Sequence, residues 1–159
     1  MNKLLVTVCY VGLLKPAPGT WGSLAGILLF FPIHLYGGPF LLVTLTILIS
    51  IVGIFLVKGA TETSEDKDPS QIVIDEVAGQ WISLLPISFG AYVYKMDLIL
   101  LWPWLLLAFI LFRFFDIIKL GPVKWADDRN DALGVMLDDI FAGLIVAFML
   151  IVSAWLYYG

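Results

Sequence analysis

Five apolar stretches, separated by polar segments or short turns, constrain the fold of this chain more than any other feature. They are Trp21–Tyr36, Phe40–Val57, Ile72–Tyr94, Leu98–Phe115 and Leu133–Tyr158. A bilayer core takes about 20 helical residues, so the last four stretches fit and the first is short. The Gly37-Gly38-Pro39 turn predicts a tight helical hairpin between the first two. We therefore predict an all-α integral membrane helical bundle with four to five membrane helices, forming a single domain over residues 1–159.

The composition agrees with a membrane protein and argues against several other classes. Apolar residues make up 61% of the 159 residues and charged residues only 14%, against about 25% charged residues in soluble domains. The net charge of −4, without a basic stripe, gives no support for a nucleic-acid partner. The single cysteine, Cys9, excludes an intramolecular disulfide framework and a Cys-x-x-Cys metal clip.

The basic residues predict the orientation of the bundle. If all five stretches cross the bilayer, Met1–Thr20, Lys58–Gln71 and Asp116–Ala132 lie on one side. With Arg113 at the adjoining end of the fourth stretch, that side holds eight of the nine basic residues, and Lys95 alone lies on the other. The positive-inside rule makes the first side cytoplasmic and places the C-terminus outside.

Two pairs of acidic residues are unusual in this setting, because an ionised carboxylate at membrane depth must be paired or bound to a metal. Asp75 and Glu76 open the third stretch, and Asp138 and Asp139 lie one turn into the fifth. Both pairs belong to the predicted cytoplasmic side. Oxygen ligands without cysteine suit a hard cation such as Mg²⁺ or Mn²⁺. The alternative is that these residues cap helix N-termini.

A glycine follows one residue of each acidic pair by one helical turn. Asp75 precedes Gly79, and Asp139 precedes Gly143, both at i,i+4 spacing. Small residues of this kind let two membrane helices approach closely. We therefore expect the two acidic pairs to face each other across a narrow gap.

Arg113, Asp116 and Lys119 recur at every third position and line one side of the helix that leaves the membrane. One interpretation is an interfacial ladder whose basic ends extend to lipid head groups. The other is that Asp116 joins a metal site while Arg113 and Lys119 hold phosphate. We favour the second, because the three residues lie between the two acidic pairs in the sequence.

The segment PAPGTWGSLAG, from Pro16 to Gly26, precedes the first apolar helix. Its hydroxyl residues, Thr20 and Ser23, and its backbone N–H groups are suited to an anion at a helix N-terminus. The alternative is a plain turn into the membrane.

The sequence lacks the residues that other phosphatase mechanisms require. The only histidine, His34, is expected at the far end of the first helix, and Cys9 is not followed by the arginine of a cysteine-x5-arginine loop. The mechanism that the sequence still supports is metal-assisted attack by water, with a carboxylate as the base. A divalent-cation or proton transporter that uses the same carboxylates is the alternative function.

Four segments together resemble the conserved blocks of the phosphatidylglycerophosphatase A family: PAPGTWGSLAG, DPSQIVIDEVAGQW, FRFFDIIKLGPVKWADDR and GVMLDDIFAG. The resemblance implies Mg²⁺-dependent hydrolysis of phosphatidylglycerol phosphate to phosphatidylglycerol and inorganic phosphate in bacterial phospholipid synthesis. It also implies a multi-pass protein of the bacterial inner membrane with its active site on the cytoplasmic side. One departure is Lys119-Leu120, where many members have Lys-Pro.

The resemblance and the residue patterns together give one predicted site. Its catalytic residues are Asp116, Asp139 and Lys119, its phosphate-binding residues are Thr20, Ser23, Arg113 and Lys119, and its metal ligands are Asp75, Glu76, Asp138 and Asp139. The lipid head group is expected to meet this site at the bilayer surface, while the acyl chains stay in the lipid.

Overall fold

The computed structural model describes residues 3–61, 71–129 and 131–158 of the chain. Every regular element in these ranges is helical, as predicted. The helices are α1 (Lys3–Val6), α2 (Pro18–Thr61), α3 (Ile74–Tyr94), α4 (Trp102–Ile118), α5 (Pro122–Asp127) and α6 (Ala132–Tyr158), with short 3-10 turns at Val11–Leu13 and Leu98–Leu101.

Helix α2 consists of two arms that meet at Gly38. The backbone there has φ 59° and ψ −156°, a conformation that glycine adopts readily because it has no Cβ. In the first arm, Gly22 lies against Val73 at the start of α3, and His34 Nδ1 lies 2.7 Å from Ser88 Oγ further along α3. The first arm therefore runs parallel to α3.

The second arm of α2 returns along α3 in the opposite direction. Phe40 packs edge-to-face on Tyr92 near the end of α3, with ring centroids 5.7 Å apart. Gly53 lies beside Ile74 at the start of α3. The chain thus reverses at Gly38, which confirms the hairpin expected from the Gly37-Gly38-Pro39 turn.

The number of membrane helices differs from the prediction. Three helices in the described ranges are long and apolar enough to cross a membrane, namely Pro18–Thr61, Leu98–Ile118 and Ala132–Tyr157. This is fewer than the four to five predicted, for two reasons. The first two apolar stretches belong to the single element α2, and α3 is less apolar because it carries acidic and amide side chains near its start.

Helix α3 lies at the centre of the bundle and packs on α2, α4 and α6. The indole Nε1 of Trp81 donates a 2.8 Å hydrogen bond to the carbonyl of Gly26 in α2. Phe30 and Phe112, from α2 and α4, are fully buried. In contrast, large apolar side chains such as Leu28 and Phe148 point outward and are more than two thirds exposed. An apolar outer surface around a close-packed interior is the arrangement expected of a bundle in lipid.

Four helix ends meet at one end of the bundle, which we call the site end. Helices α2, α3 and α6 begin there and α4 ends there, so their termini surround a common cavity. At the opposite end, Tyr94, Trp104 and Trp155 border an apolar cavity of about 620 Å³. The bundle is therefore polar at one end and aromatic at the other.

Candidate active site

A cavity of about 290 Å³ opens at the site end and collects the charged residues singled out in the sequence. Its charged lining residues are Asp75 and Glu76 of α3, Arg113 and Asp116 of α4, Lys119 just after α4, and Asp138 and Asp139 of α6. Residues far apart in the sequence thus share one cavity, as the acidic and basic patterns predicted.

Three of the carboxylates form a compact cluster. One oxygen from each of Asp75, Glu76 and Asp139 lies within 4.8 Å of the other two. Asp75 and Asp139 are 6% and 3% exposed, so water screens their mutual repulsion poorly. Glu76 Oε2 and Asp139 Oδ1 have no hydrogen-bond partner among the described residues. Buried carboxylates with open lone pairs fit a hard divalent cation that accepts oxygen ligands.

Close contact between α3 and α6 brings this cluster together. A Cβ added to Gly79 would lie 2.5 Å from the carbonyl oxygen of Asp139 and 2.6 Å from the Phe112 ring. A Cβ on Gly143 would collide with the carbonyl oxygen of Gly79. The narrow gap expected from the two i,i+4 spacings is therefore present, and glycine is needed at both positions.

Asp138 has different partners from its neighbour Asp139. Its Oδ1 accepts a 2.9 Å hydrogen bond from the backbone N–H of Asp139. Its Oδ2 accepts a 2.9 Å hydrogen bond from the Lys119 ammonium. Asp138 lines the cavity but stands outside the three-carboxylate cluster, so its predicted role as a metal ligand stays a prediction.

The capping alternative can be tested at both helix starts. At the start of α3, Val73 has no polar side chain to cap the helix, and Asp75 Oδ1 accepts a 3.0 Å hydrogen bond from the backbone N–H of Glu76. Before α6, Asp131 caps the helix by accepting a 2.7 Å hydrogen bond from Gly134 N–H. Asp138 and Asp139 lie beyond this cap, so capping does not account for them.

Arg113 and Asp116, which the sequence placed on one side of the helix, form an ion pair at i,i+3 spacing. Arg113 Nη1 lies 2.5 Å from Asp116 Oδ2, although the pair lacks the alignment of a hydrogen bond. Arg113 Nε and Nη1 are buried and have no hydrogen-bond partner among the described residues. The guanidinium thus retains donors for an anion in the cavity.

Gly19 in the first turn of α2 faces this guanidinium. A Cβ at Gly19 would lie 3.0 Å from Arg113 Nη1 and 3.1 Å from Nη2, and would collide with Glu76 Oε1. The missing side chain therefore leaves room where a cation and an anion of the site approach α2. The sequence placed Gly19 in an anion-binding segment, but only the fold explains why the residue is glycine.

Thr20 and Ser23 occupy a different place from the one their predicted role requires. The cavity is lined by Ala17, Pro18 and Gly19 rather than by either hydroxyl residue. Ser23 is fully buried, and its hydroxyl donates a 2.9 Å hydrogen bond to the carbonyl of Gly19. The phosphate-binding role of Thr20 and Ser23 remains a prediction without a contact to the cavity.

Lys119 is the residue at which α4 ends, and its side chain lines the cavity. Its ammonium donates hydrogen bonds to Asp127 and to Asp138. Burial lowers the pKa of Lys119, but the hydrogen bonds to these two carboxylates outweigh burial and raise the pKa above its ordinary value. Lys119 is therefore a cation at neutral pH. Asp127 was not predicted as a site residue, although it lies within the KWADDR part of the third motif.

Comparison with known proteins shows which family this chain matches and which proteins it resembles. The phosphatidylglycerophosphatase A family matches residues 4–154 of the chain. Phosphatidylglycerophosphatase A of Haemophilus influenzae is 37% identical over 134 residues, which cover 84% of this chain and 76% of that protein. The Escherichia coli protein of the same name is 32% identical over 138 residues, covering 86% and 73%.

A third relative carries a different name. A Bacteroides thetaiotaomicron protein, provisionally named a phosphatidylinositol-3-phosphatase, is 32% identical over 144 residues, covering 87% of this chain and 84% of that protein. No solved structure matches the chain. The family match spans nearly all of the described helices, and all of these relatives are named as lipid phosphatases. The chain therefore belongs to the phosphatidylglycerophosphatase A family of phosphatase enzymes.

Proposed function

We propose that the protein is a Mg²⁺-dependent lipid phosphatase that hydrolyses phosphatidylglycerol phosphate to phosphatidylglycerol and inorganic phosphate. The observation that carries this proposal is the convergence of Asp75, Glu76 and Asp139 in one cavity with Arg113 and Lys119. Carboxylates that could hold a cation and cations that could hold phosphate are the two halves of a metal-assisted phosphatase site. The names of the Haemophilus influenzae and Escherichia coli relatives supply the substrate.

The three clustered carboxylates would hold the metal. Glu76 Oε2 and Asp139 Oδ1 each have an open lone pair in the cavity, and Asp75 supplies a third oxygen within the same cluster. A bound Mg²⁺ would supply a Lewis acid that neutralises charge on phosphate oxygens. Asp138, which accepts a hydrogen bond from Lys119, lines the same cavity and would be a further ligand.

The substrate phosphate would lie between the two basic residues. Arg113 approaches Gly19 with Nη1 and Nη2, of which Nη1 is ion-paired with Asp116, and its Nε has no hydrogen-bond partner among the described residues. Lys119 lines the same cavity. Water then attacks phosphorus, the bond from phosphorus to the glycerol oxygen breaks, and that oxygen takes a proton from solvent, so phosphatidylglycerol leaves as the alcohol. Asp116 orients Arg113 through their ion pair and accepts the proton of the attacking water. Helix α2 begins at Pro18, and Gly19 in its first turn lines the cavity, so the positive end of the helix would favour the same anion.

The position of the cluster supports an enzyme over a transporter. A cation or proton transporter needs carboxylates near the bilayer midplane that both sides can reach. In this bundle the carboxylates lie in the first turn of α3 and the second turn of α6, near the helix starts. A site at the bilayer surface suits a substrate whose head group is in water and whose acyl chains are in lipid. We propose that this end of the bundle faces the cytoplasm of a bacterial inner membrane, because most basic residues of the chain flank it.

Phosphate release by the purified full chain in mixed micelles tests the function. We expect equal amounts of inorganic phosphate and phosphatidylglycerol from phosphatidylglycerol phosphate, with activity lost in EDTA and restored by Mg²⁺. Phosphatidylinositol 3-phosphate, the substrate suggested by the name of the third relative, is the comparison substrate. Faster hydrolysis of that lipid would reassign the substrate, and no release from either lipid at saturating Mg²⁺ would contradict the proposal.

A further inference from the structure

Lys119 adopts a backbone conformation that is unusual for its residue type. It ends α4 with φ 52° and ψ 64°, in the left-handed region. Helices commonly end in this conformation, but the residue is usually glycine or asparagine, since a side chain there is strained. The left-handed turn sends the chain from α4 towards α5, where Gly121 also has a positive φ of 58°. Lys95 ends α3 in the same left-handed conformation, so Lys119 is distinguished by the contacts of its side chain rather than by its backbone.

Two carboxylates from different helices fix the Lys119 ammonium. Asp127, in the last turn of α5, accepts one hydrogen bond, and Asp138 of α6 accepts another at 2.9 Å. The exposed fractions of the three side chains are 28% for Lys119, 35% for Asp127 and 10% for Asp138. A lysine ammonium has three N–H donors. Two are engaged within the described chain, so the third is available to an anion in the cavity that Lys119 lines.

We propose that Asp127 is a positioning residue that holds the Lys119 ammonium at the cavity edge for a phosphate oxygen. A long lysine side chain samples many rotamers. With Asp138 as its only partner, the ammonium could rotate around that single hydrogen bond. The second carboxylate, on the far side of the turn, defines the direction of the remaining donor. This inference rests on the proposed function in one respect, that the cavity binds the phosphate of the substrate.

The neighbouring residue Asp128 provides a matched control. It follows Asp127 directly and pairs with Lys124 at 3.3 Å. Both side chains of that pair are more than 60% exposed, and surface pairs of this kind contribute little. Asp127→Asn and Asp128→Asn remove the same charge by the same chemical change, one beside Lys119 and one on the surface.

The direction of the effect separates positioning from simple electrostatics. If Asp127 acted only as a negative charge near the site, Asp127→Asn would remove repulsion and strengthen phosphate binding. If Asp127 positions Lys119, the same substitution weakens binding even though the site becomes less negative. Asp127→Glu keeps the charge and reaches Lys119 with one additional methylene, so it should restore most of the binding.

The experiment measures binding of radiolabelled inorganic phosphate to the purified full chain in detergent with Mg²⁺, by equilibrium dialysis. We expect about five- to tenfold weaker binding for Asp127→Asn, equivalent to roughly 1–1.4 kcal/mol, and a change below about twofold for Asp128→Asn. In a Lys119→Gln background, Asp127→Asn should cause no further loss, because the contact that it supports is already absent.

Three outcomes would overturn the inference: unchanged or tighter binding by Asp127→Asn, an equal loss in Asp128→Asn, or a full loss that persists in the Lys119→Gln background. Failure of wild type to bind phosphate would also overturn it. If Asp127→Asn does not fold, Asp127→Ser takes its place in the wild-type and Lys119→Gln backgrounds, with the same expected loss and the same contradicting outcomes. Asp127-dependent binding by a protein that releases no phosphate from phosphatidylglycerol phosphate would sustain this inference and reject the proposed function.

Discussion

The backbone of Gly143 in α6 rests directly on the backbone of Gly79 in α3. A Cβ on Gly143 would collide with the Gly79 carbonyl oxygen and lie 3.0 Å from the Ile82 Cβ. Each glycine is one helical turn from a buried carboxylate, Asp139 in α6 and Asp75 in α3. The contact between two glycines therefore sets the separation of the acidic cluster as well as the packing of the two helices.

Gly143→Ala should destabilise the bundle, because the added methyl has no space between α3 and α6. Overpacking of this kind costs about 1–3 kcal/mol, which a thermal melt in detergent would record as a lower Tm. Gly90→Ala, in α3, is the control, since a Cβ there meets nothing within 4 Å. Equal melting temperatures for the two variants would contradict the close contact.

Arg113→Lys should lower kcat/KM by at least about tenfold, equivalent to about 1.4 kcal/mol in transition-state binding. Lysine keeps the charge but loses the fork that can grip a phosphate through two parallel hydrogen bonds. Kinetics on a water-soluble short-chain substrate should give the same loss as the native lipid. A defect that disappears with the soluble substrate would instead indicate a role in membrane anchoring.

The orientation of the bundle can be measured by labelling single cysteines in a Cys9→Ser background. We expect a membrane-impermeant maleimide added to intact cells to label Lys95→Cys but not Lys124→Cys, because Lys124 belongs to the site end and Lys95 follows the opposite end of α3. Labelling of both positions from outside would contradict a cytoplasmic site.

Mg²⁺ should stabilise the folded protein, since a ligand that binds only the native state adds about 2.7 kcal/mol at 100 times its Kd. The Tm in detergent should rise with Mg²⁺ and fall again with EDTA. Asp139→Asn should lose most of this increase, and Asp128→Asn, on the surface, should keep it. This measurement requires no substrate, so it tests the metal site independently of the reaction.

Local spacing in the sequence predicted much of the site. The shared side of Arg113 and Asp116 on α4 and the i,i+4 relation of each carboxylate to its glycine depend only on helix geometry, and both are present. The hairpin at Gly38 was also predicted, because glycines next to proline interrupt an apolar run. These features require no knowledge of which helices are neighbours.

The remaining features depend on tertiary contacts that spacing does not reveal. Adjacent residues on a helix point about 100° apart, so Asp138 turns to Lys119 while Asp139 joins the acidic cluster, yet the sequence treated them as one pair. Asp127 meets Lys119 only because the chain turns at two positive φ angles after α4. Similarly, α3 is the buried centre of the bundle and carries polar residues, which is why fewer helices than predicted are apolar enough to span a bilayer.

The central claim is that the carboxylate cluster of Asp75, Glu76 and Asp139 carries the metal-dependent hydrolysis, and phosphate release by two amide variants tests it most directly. Asp75→Asn and Asp139→Asn nearly preserve side-chain volume but remove the charge that a cation requires. We predict that each lowers phosphate release from phosphatidylglycerol phosphate by at least about 100-fold, equivalent to about 2.7 kcal/mol, while the protein still elutes as a folded species. A loss of about tenfold or less for both variants at saturating Mg²⁺ would contradict the claim.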